Sequence, residues 1–290
     1  MSDNHQNSTE TTIEKQNPLG TSVEYIDQYM PSLLFAIPRK EKRQEIGIVG
    51  NLPFHGVDMW NAYELGWLNT KGLPQVAIGE FYIPANSPNI IESKSFKLYL
   101  NSLNQTRFND AQALSETLQN DLSKTAGCGI KIIIRTVDCE SEFGKLEGLC
   151  IDEQDIEIEQ YDYQPELLTT VSKLNPDDTS SKEIVSESLY SHLLKSNCLI
   201  TNQPDWGSVL IQYKGKKICH ESLLRYLVSF RTHNEFHEQC VERIFTDIQS
   251  FCQPEKLTVY ARYTRRGGLD INPWRSNCAK MMDNLRLSRQ

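Results

Sequence analysis

The feature that most constrains this chain is an internal repeat. Glu92-Ser93 returns as Glu221-Ser222, and Tyr99-Leu100-Asn101-Ser102-Leu103 returns as Tyr226-Leu227-Val228-Ser229-Phe230. Phe108-Asn109-Asp110 returns as Phe236-His237-Glu238, in the same order and at nearly constant offset. A helical run follows in each copy, then a β-rich stretch, 129–137 in the first and 256–264 in the second. Two copies of one supersecondary unit is the natural reading. Phe96, Tyr99, Leu100 and Leu103 recur at helical spacing, as do Leu223, Tyr226, Leu227 and Phe230. The run from His237 through Cys240, Val241, Ile244, Phe245, Ile248 and Phe251 continues it. Each copy therefore reads as strands, two consecutive helices, then strands. Helices packed on one face of a mostly antiparallel sheet make an α+β fold.

Elsewhere the periods predict a helix over 57–68 and strands over 75–84 and 208–213. The polar start, 1–20, reads as mobile. An acidic stretch, 152–166, and a Pro- and Asp-containing one, 174–182, suggest a connection between the copies. The organisation expected is a first module over 21–160, a linker region over 161–187 and a second module over 188–290.

Composition limits the function. With 290 residues, and ~150 per domain, the chain holds two domains or one large one. Its net charge of -8 and lack of a basic tail disfavour a grip on nucleic acid through phosphates. The longest apolar runs, such as Ile132-Ile133-Ile134, fall far short of the ~20 residues that span a bilayer. No signal peptide is recognised, so the eight cysteines are expected reduced in a cytoplasmic protein.

Several residues could carry chemistry. Cys198 lies among turn formers before a strand, where a thiol is either an accessible nucleophile or a buried structural residue. Asp205 follows Pro204; a turn could bring it towards the sulfur, and burial against Trp206 would let it hold a proton. The alternative is a turn-capping Asp. His237 and Glu238 stand at a helix start; a carboxylate there suits a paired N–H edge, or merely the helix dipole. Ser93 reads as an N-cap, with Lys94 and Lys97 beside it to meet phosphate or solvent. Arg262, Arg265, Arg266, Gly267 and Gly268 read as a basic, flexible turn. A zinc site from His233, His237, Cys240, Cys219 and His220 is a competing reading. No GxGxxG follows a strand, so a Rossmann domain is not expected.

The string Glu92-Ser93-Lys94-Ser95-Phe96-Lys97-Leu98-Tyr99-Leu100 resembles the signature of the NADPH-dependent 7-cyano-7-deazaguanine reductases, the QueF family. Cys198 with Asp205, Phe236-His237-Glu238, and Arg265-Arg266-Gly267-Gly268 followed by Asp270 agree with it. The length and duplication resemble the long, two-module branch. The resemblance implies two tandem tunnelling-fold modules, each ββααββ, and reduction of a nitrile to an amine with two NADPH. It implies Cys198 as nucleophile forming a thioimide and Asp205 as proton donor. It further implies substrate contacts from Ile91, Glu92, Ser93, His237 and Glu238, and NADPH contacts from Ser93, Lys94, Arg266 and Gly267. No metal is implied. The substrate would be a free base rather than tRNA, the assembly a homodimer, and each chain would carry one active site, because Asn109-Asp110 replaces the His-Glu pair in the first copy.

Overall fold

The structure is a computed structural model that describes residues 25–138, 143–179 and 183–290. The expected mobile start, Cys139 and the end of the 174–182 stretch lie outside the described residues.

The first copy runs β1 (Ala36–Pro38), α1 (Arg39–Glu45), β2 (His55–Leu68), β3 (Pro74–Pro84), β4 (Asn89–Ile91), α2 (Ser93–Asn101), α3 (Ala111–Ala126) and β5 (Lys131–Arg135). Then come β6 (Leu149–Cys150) and a short α4 (Val171–Leu174). The second copy runs β7 (Ile184–Ser191), β8 (Lys195–Asn197), β9 (Pro204–Lys216), α5 (His220–Val228), α6 (His237–Cys252), β10 (Lys256–Tyr263) and β11 (Leu269–Ser276). The long strands join one sheet in the order β5-β3-β2-β11-β10-β9-β7-β6, with β8 hydrogen-bonded to β9. All its pairings are antiparallel except that of β6 with β7. The fold is α+β, as the repeat predicts.

The copies are fused rather than strung apart. β11 of the second pairs with β2 of the first over Leu269↔Ala62 to Ser276↔His55. α2 and α3 cover one half of the sheet with Phe96, Tyr99, Leu114 and Leu118 against Trp60 and Phe81. α5 and α6 cover the other with Tyr226, Phe230, Ile244 and Phe245 against Val209 and Val259. On the opposite face Val57, Met59, Leu210, Tyr260 and Trp274 pack with Leu287.

The same polar device locks both helix pairs. Tyr99 and Tyr29 donate to Asp121 Oδ2 at 2.6 and 2.7 Å, and Tyr226 and Tyr163 donate to Asp247 Oδ2 at 2.5 and 2.8 Å. Each aspartate satisfies one buried tyrosine hydroxyl, that of Tyr99 or Tyr226, which would otherwise lose free energy on leaving water, and takes a second from Tyr29 or Tyr163.

Four expectations need correction. Residues 57–68 form a strand, not a helix. Val57 and Met59 point to one face while Trp60 and Ala62 point to the other. With both faces buried, the strand loses the apolar–polar alternation that marks a half-exposed one. The first copy has a single strand after its helices, β5, whereas β6 joins the far edge beside β7. The expected linker is partly core: Leu168 is 2% exposed, Tyr163 packs on Phe230, and β7 begins at Ile184. Finally, Arg262 does not sit in a solvated turn. It is buried in β10 and bonds Gln290, Tyr260 and Asn284.

Candidate active site

Two short turns and two helix starts converge where the copies meet. The β8–β9 hairpin carries Cys198 at its first loop position. The Cys198 N–H donates to Gln203 O at 2.8 Å, and Asn202, at φ 55°, donates back to Cys198 O at 3.0 Å. Asn tolerates that left-handed backbone better than most residues. The loop is therefore fixed from both ends, and Cys198 is half-buried at its rim.

The β10–β11 turn carries Arg266 and Gly267. Arg266 and Leu269 exchange backbone hydrogen bonds at 2.8 and 3.1 Å, with Gly267 at φ 56° and Gly268 at φ 77°. Positive φ at both central residues makes the tight hairpin that only Gly and a few others allow. At Gly268 a Cβ would meet the Glu64 carboxyl carbon at 2.4 Å.

At the start of α2 the cap is Glu92, not Ser93. Its carboxylate accepts from Lys94 N at 3.0 Å and Ser95 N at 2.7 Å, while Glu92 N donates to Phe35 O at 2.9 Å. Glu92 is thus held rigid at 4% exposure. α6 starts at His237 with no side-chain cap, placing His237 and Glu238 in its first turn.

These parts line one cleft. Its outer cavity, about 220 Å³, is bounded by Glu92, Ser93, Lys94, Cys198, Arg266 and Gly267, with His237 at its base. An inner recess is bounded by Ile91, Asp205, Glu238 and Trp60, and shares Glu92, Ser93, Cys198 and His237. The ten residues that the family resemblance implies all meet here: Cys198, Asp205, Ile91, Glu92, Ser93, His237, Glu238, Lys94, Arg266 and Gly267.

The electrostatics are set by a few contacts. Asp205, 4% exposed, has Oδ1 at 2.8 Å from Arg266 Nη2 and Oδ2 at 3.1 Å from His237 Nε2. The His237 approach is an ion-pair distance without hydrogen-bond alignment, and both ring nitrogens lack a hydrogen-bond partner. The ring instead stacks flat on Tyr263, 3.9 Å between centroids and 7° between planes. Trp206, expected to cover Asp205, lies on the other side of β9, 38% exposed, with Arg231 5.6 Å above it. Strand alternation separates neighbours in this way.

Burial alone would raise the Cys198 thiol. Hydrogen bonds from Thr201, Arg266 and the Thr201 and Ile200 backbone outweigh it and hold the thiol below its ordinary value. The one sequence signal for Thr201 is its place in the loop that begins at Cys198. Glu238 moves the other way. Burial first, and the Asp58 charge second, push it up to about 7 against the pull of Arg39 and His237.

The zinc reading loses its ligand set. Among the described residues no three His, Cys, Asp or Glu side chains stand together to hold a metal ion. Cys240 faces the core, and burial pushes its thiol far up. His220 pairs with Glu187 and His233 with Glu235, each at 3.2 Å. Among the described residues no helix is long and apolar enough to cross a membrane.

Known proteins share this arrangement of sequence. Residues 25–134 match the family model described as nitrile reductase, 7-cyano-7-deazaguanine-reductase N-term, and residues 204–282 match that of QueF-like protein. The NADPH-dependent 7-cyano-7-deazaguanine reductase of Hydrogenovibrio crunogenus (strain DSM 25203 / XCL-2) is 54% identical over 284 residues, 97% of this chain and 99% of that protein. A crystal structure of the archaeosine synthase QueF-Like in the apo form aligns over 33% of this chain and 96% of that one, with 16% identity and a TM-score of 0.29. The class is therefore an oxidoreductase of the nitrile reductase type. More narrowly, the chain belongs to the NADPH-dependent 7-cyano-7-deazaguanine reductase family.

Proposed function

We propose that this chain reduces the nitrile of 7-cyano-7-deazaguanine to the aminomethyl group, in queuosine biosynthesis, through a covalent bond to Cys198. The observation that carries the reading is the convergence of a half-buried, acidified thiol with a buried Asp–His pair on one cleft. A nitrile carbon is a weak electrophile, and a thiolate is a good soft nucleophile for it. The Cys198 sulfur adds to that carbon, and the nitrile nitrogen takes the freed electron pair and a proton, giving a thioimide. Asp205 delivers the proton, with His237 Nε2 beside its Oδ2 at 3.1 Å. Glu238, in its carboxylate form, accepts the paired N–H groups of the deazaguanine edge in the inner recess. Ile91 and Trp60 cover the ring faces there. Glu92 is spent on capping α2, so it contributes a rigid wall rather than a free carboxylate.

The outer cavity fits an anionic dinucleotide. Lys94 and Arg266 line it, and at Gly267 a Cβ would meet nothing within 4 Å, so backbone approach is open. Ser93, Lys94, Arg266 and Gly267 would hold NADPH, which supplies a hydride for each of the two reductions. Lys97 is bonded to Glu64 and is a poorer candidate.

The duplicated helix locks support a pair of tandem tunnelling-fold modules. The boundary this suggests is near 161, because Tyr163 already bonds Asp247 of the second copy. Aligning Asp121 with Asp247 sets Ala111-Gln112, rather than Asn109-Asp110, opposite His237-Glu238. The first copy lacks the pair on either alignment, which supports one site per chain. A homodimer acting on the free base, in the cytoplasm, completes the reading. The test is loss of NADPH absorbance on adding 7-cyano-7-deazaguanine. Oxidation by the wild type and none by Cys198→Ala is expected; no oxidation by the wild type overturns the proposed activity.

A further inference from the structure

A proline opens the sheet directly behind the active site. Pro273 sits inside β11, flanked by β2 and β10, and has no N–H to give to a ladder. The β10–β11 pairing accordingly stops at Tyr260↔Trp274, although β10 continues to Tyr263. Tyr263 pairs with Gly207 of β9 on its other edge. Its N–H and C=O towards β11 would be left unmade in a buried place, which is costly.

Two side chains fill the seam. Asn272 Oδ1 accepts from Tyr263 N at 3.2 Å, and Asn272 Nδ2 donates to Met59 O at 3.1 Å across the next strand. Gln290 Nε2 donates to Tyr263 O at 3.0 Å and to Asn272 Oδ1 at 2.8 Å. Gln290 Oε1 in turn accepts from Arg262 Nε at 2.8 Å and Leu287 N at 3.0 Å. All four hydrogen-bonding positions used on this amide are protein groups, and Gln290 is 4% exposed. The residue so clamped, Tyr263, is the platform on which His237 stacks.

We propose that Gln290 is a positioning residue for the His237–Asp205 pair, acting through Tyr263 and touching neither substrate nor cofactor. Its role in turnover rests on the reaction proposed above; its role in fixing His237 does not. The selective variant is Gln290→Glu, which keeps the acceptor for Arg262 and Leu287 but replaces the donor to Tyr263 O by an oxygen. Gln290→Met, of similar length and without a donor, serves if the first fails to fold.

Two readouts decide it. One is the histidine side-chain NMR signal of the ring stacked on Tyr263, assigned with His237→Gln. It is expected to move in Gln290→Glu while the other histidine signals stay in place, with the thermal midpoint lowered by the buried carbonyl left without a donor. The other is kinetic: kcat falls about tenfold with KM for the base nearly unchanged, because misplacement at the reacting centre costs rate rather than affinity. A folded variant with an unmoved His237 signal overturns the proposal. So does a rate loss that tracks a fall in thermal midpoint with that signal unchanged. If the wild type fails to oxidise NADPH, the reaction reading falls, and the NMR result still decides the positioning.

Discussion

Asp205 stands between an imidazole and a guanidinium, Oδ2 at 3.1 Å from His237 Nε2 and Oδ1 at 2.8 Å from Arg266 Nη2. His237 comes from the start of α6 and Arg266 from a glycine turn, so one carboxylate ties a helix, a strand and a hairpin at the cleft. In Asp205→Asn the shape is kept and the transferable proton is not. Turnover is expected to fall by about a hundredfold or more, the usual scale of general acid catalysis, with base affinity nearly kept. Steady-state kinetics and equilibrium binding of 7-cyano-7-deazaguanine separate the two. A wild-type rate would remove the acid role.

Thr201 lowers the Cys198 thiol against the effect of burial. Thr201→Val takes that hydrogen bond away, so the thiol moves up and less thiolate exists at neutral pH. The pH midpoint of Cys198 alkylation by iodoacetamide is expected to shift upward and the rate at pH 7 to drop. Seven cysteines other than Cys198 are present, so the labelled site is read by peptide mapping.

Glu238 is expected to make base binding pH-dependent. Burial and Asp58 push it up to about 7, and the edge-binding form is the carboxylate. Affinity should therefore tighten as pH rises through about 7 and flatten above it. Glu238→Gln should bind weakly with no such slope. Stability runs the other way: the folded chain keeps a proton the unfolded chain loses above the ordinary value of 4.5. This contribution is present below that value and fades as pH rises towards 7.

Glu242 closes a buried network between the copies. It accepts from Arg43 at 2.7 and 2.8 Å and from Arg275 at 2.9 and 3.1 Å, while Arg39 pairs with Asp58. Burial opposes its charge, but the three guanidiniums prevail and hold it below the usual carboxylate range. Glu242→Gln strands buried positive charge and is expected to cost about 3–5 kcal/mol in urea unfolding. In the wild type the sign follows from the depressed value: this stabilisation is full above the carboxylate range and is lost as pH falls through it.

Much of this was written in the chain, and the failures have physical causes. The helix stripes around Tyr99 and Tyr226 and the strands after them follow from period and order alone. The residues named by the family strings line one cleft. Strand β2 was misread because a strand buried on both faces carries no period-two signal. A fourth matching pair of strings precedes the others: Tyr29-Met30-Pro31-Ser32-Leu33-Leu34 matches Tyr163-Gln164-Pro165-Glu166-Leu167-Leu168. Its second copy sits in an acidic stretch that reads as linker by charge, yet Tyr163 seals Asp247 and Leu168 enters the core. The capping role of Glu92 was missed because Ser is the commoner cap. The Trp206 cover failed because adjacent strand residues face opposite ways.

The central claim is a bond between the Cys198 sulfur and the nitrile carbon. Intact-protein mass spectrometry after mixing with 7-cyano-7-deazaguanine, NADPH left out, tests it most directly. The wild type is expected to gain the mass of one substrate molecule, and Cys198→Ala to gain nothing. The same gain on Cys198→Ala, or normal NADPH oxidation by that variant, would contradict the account.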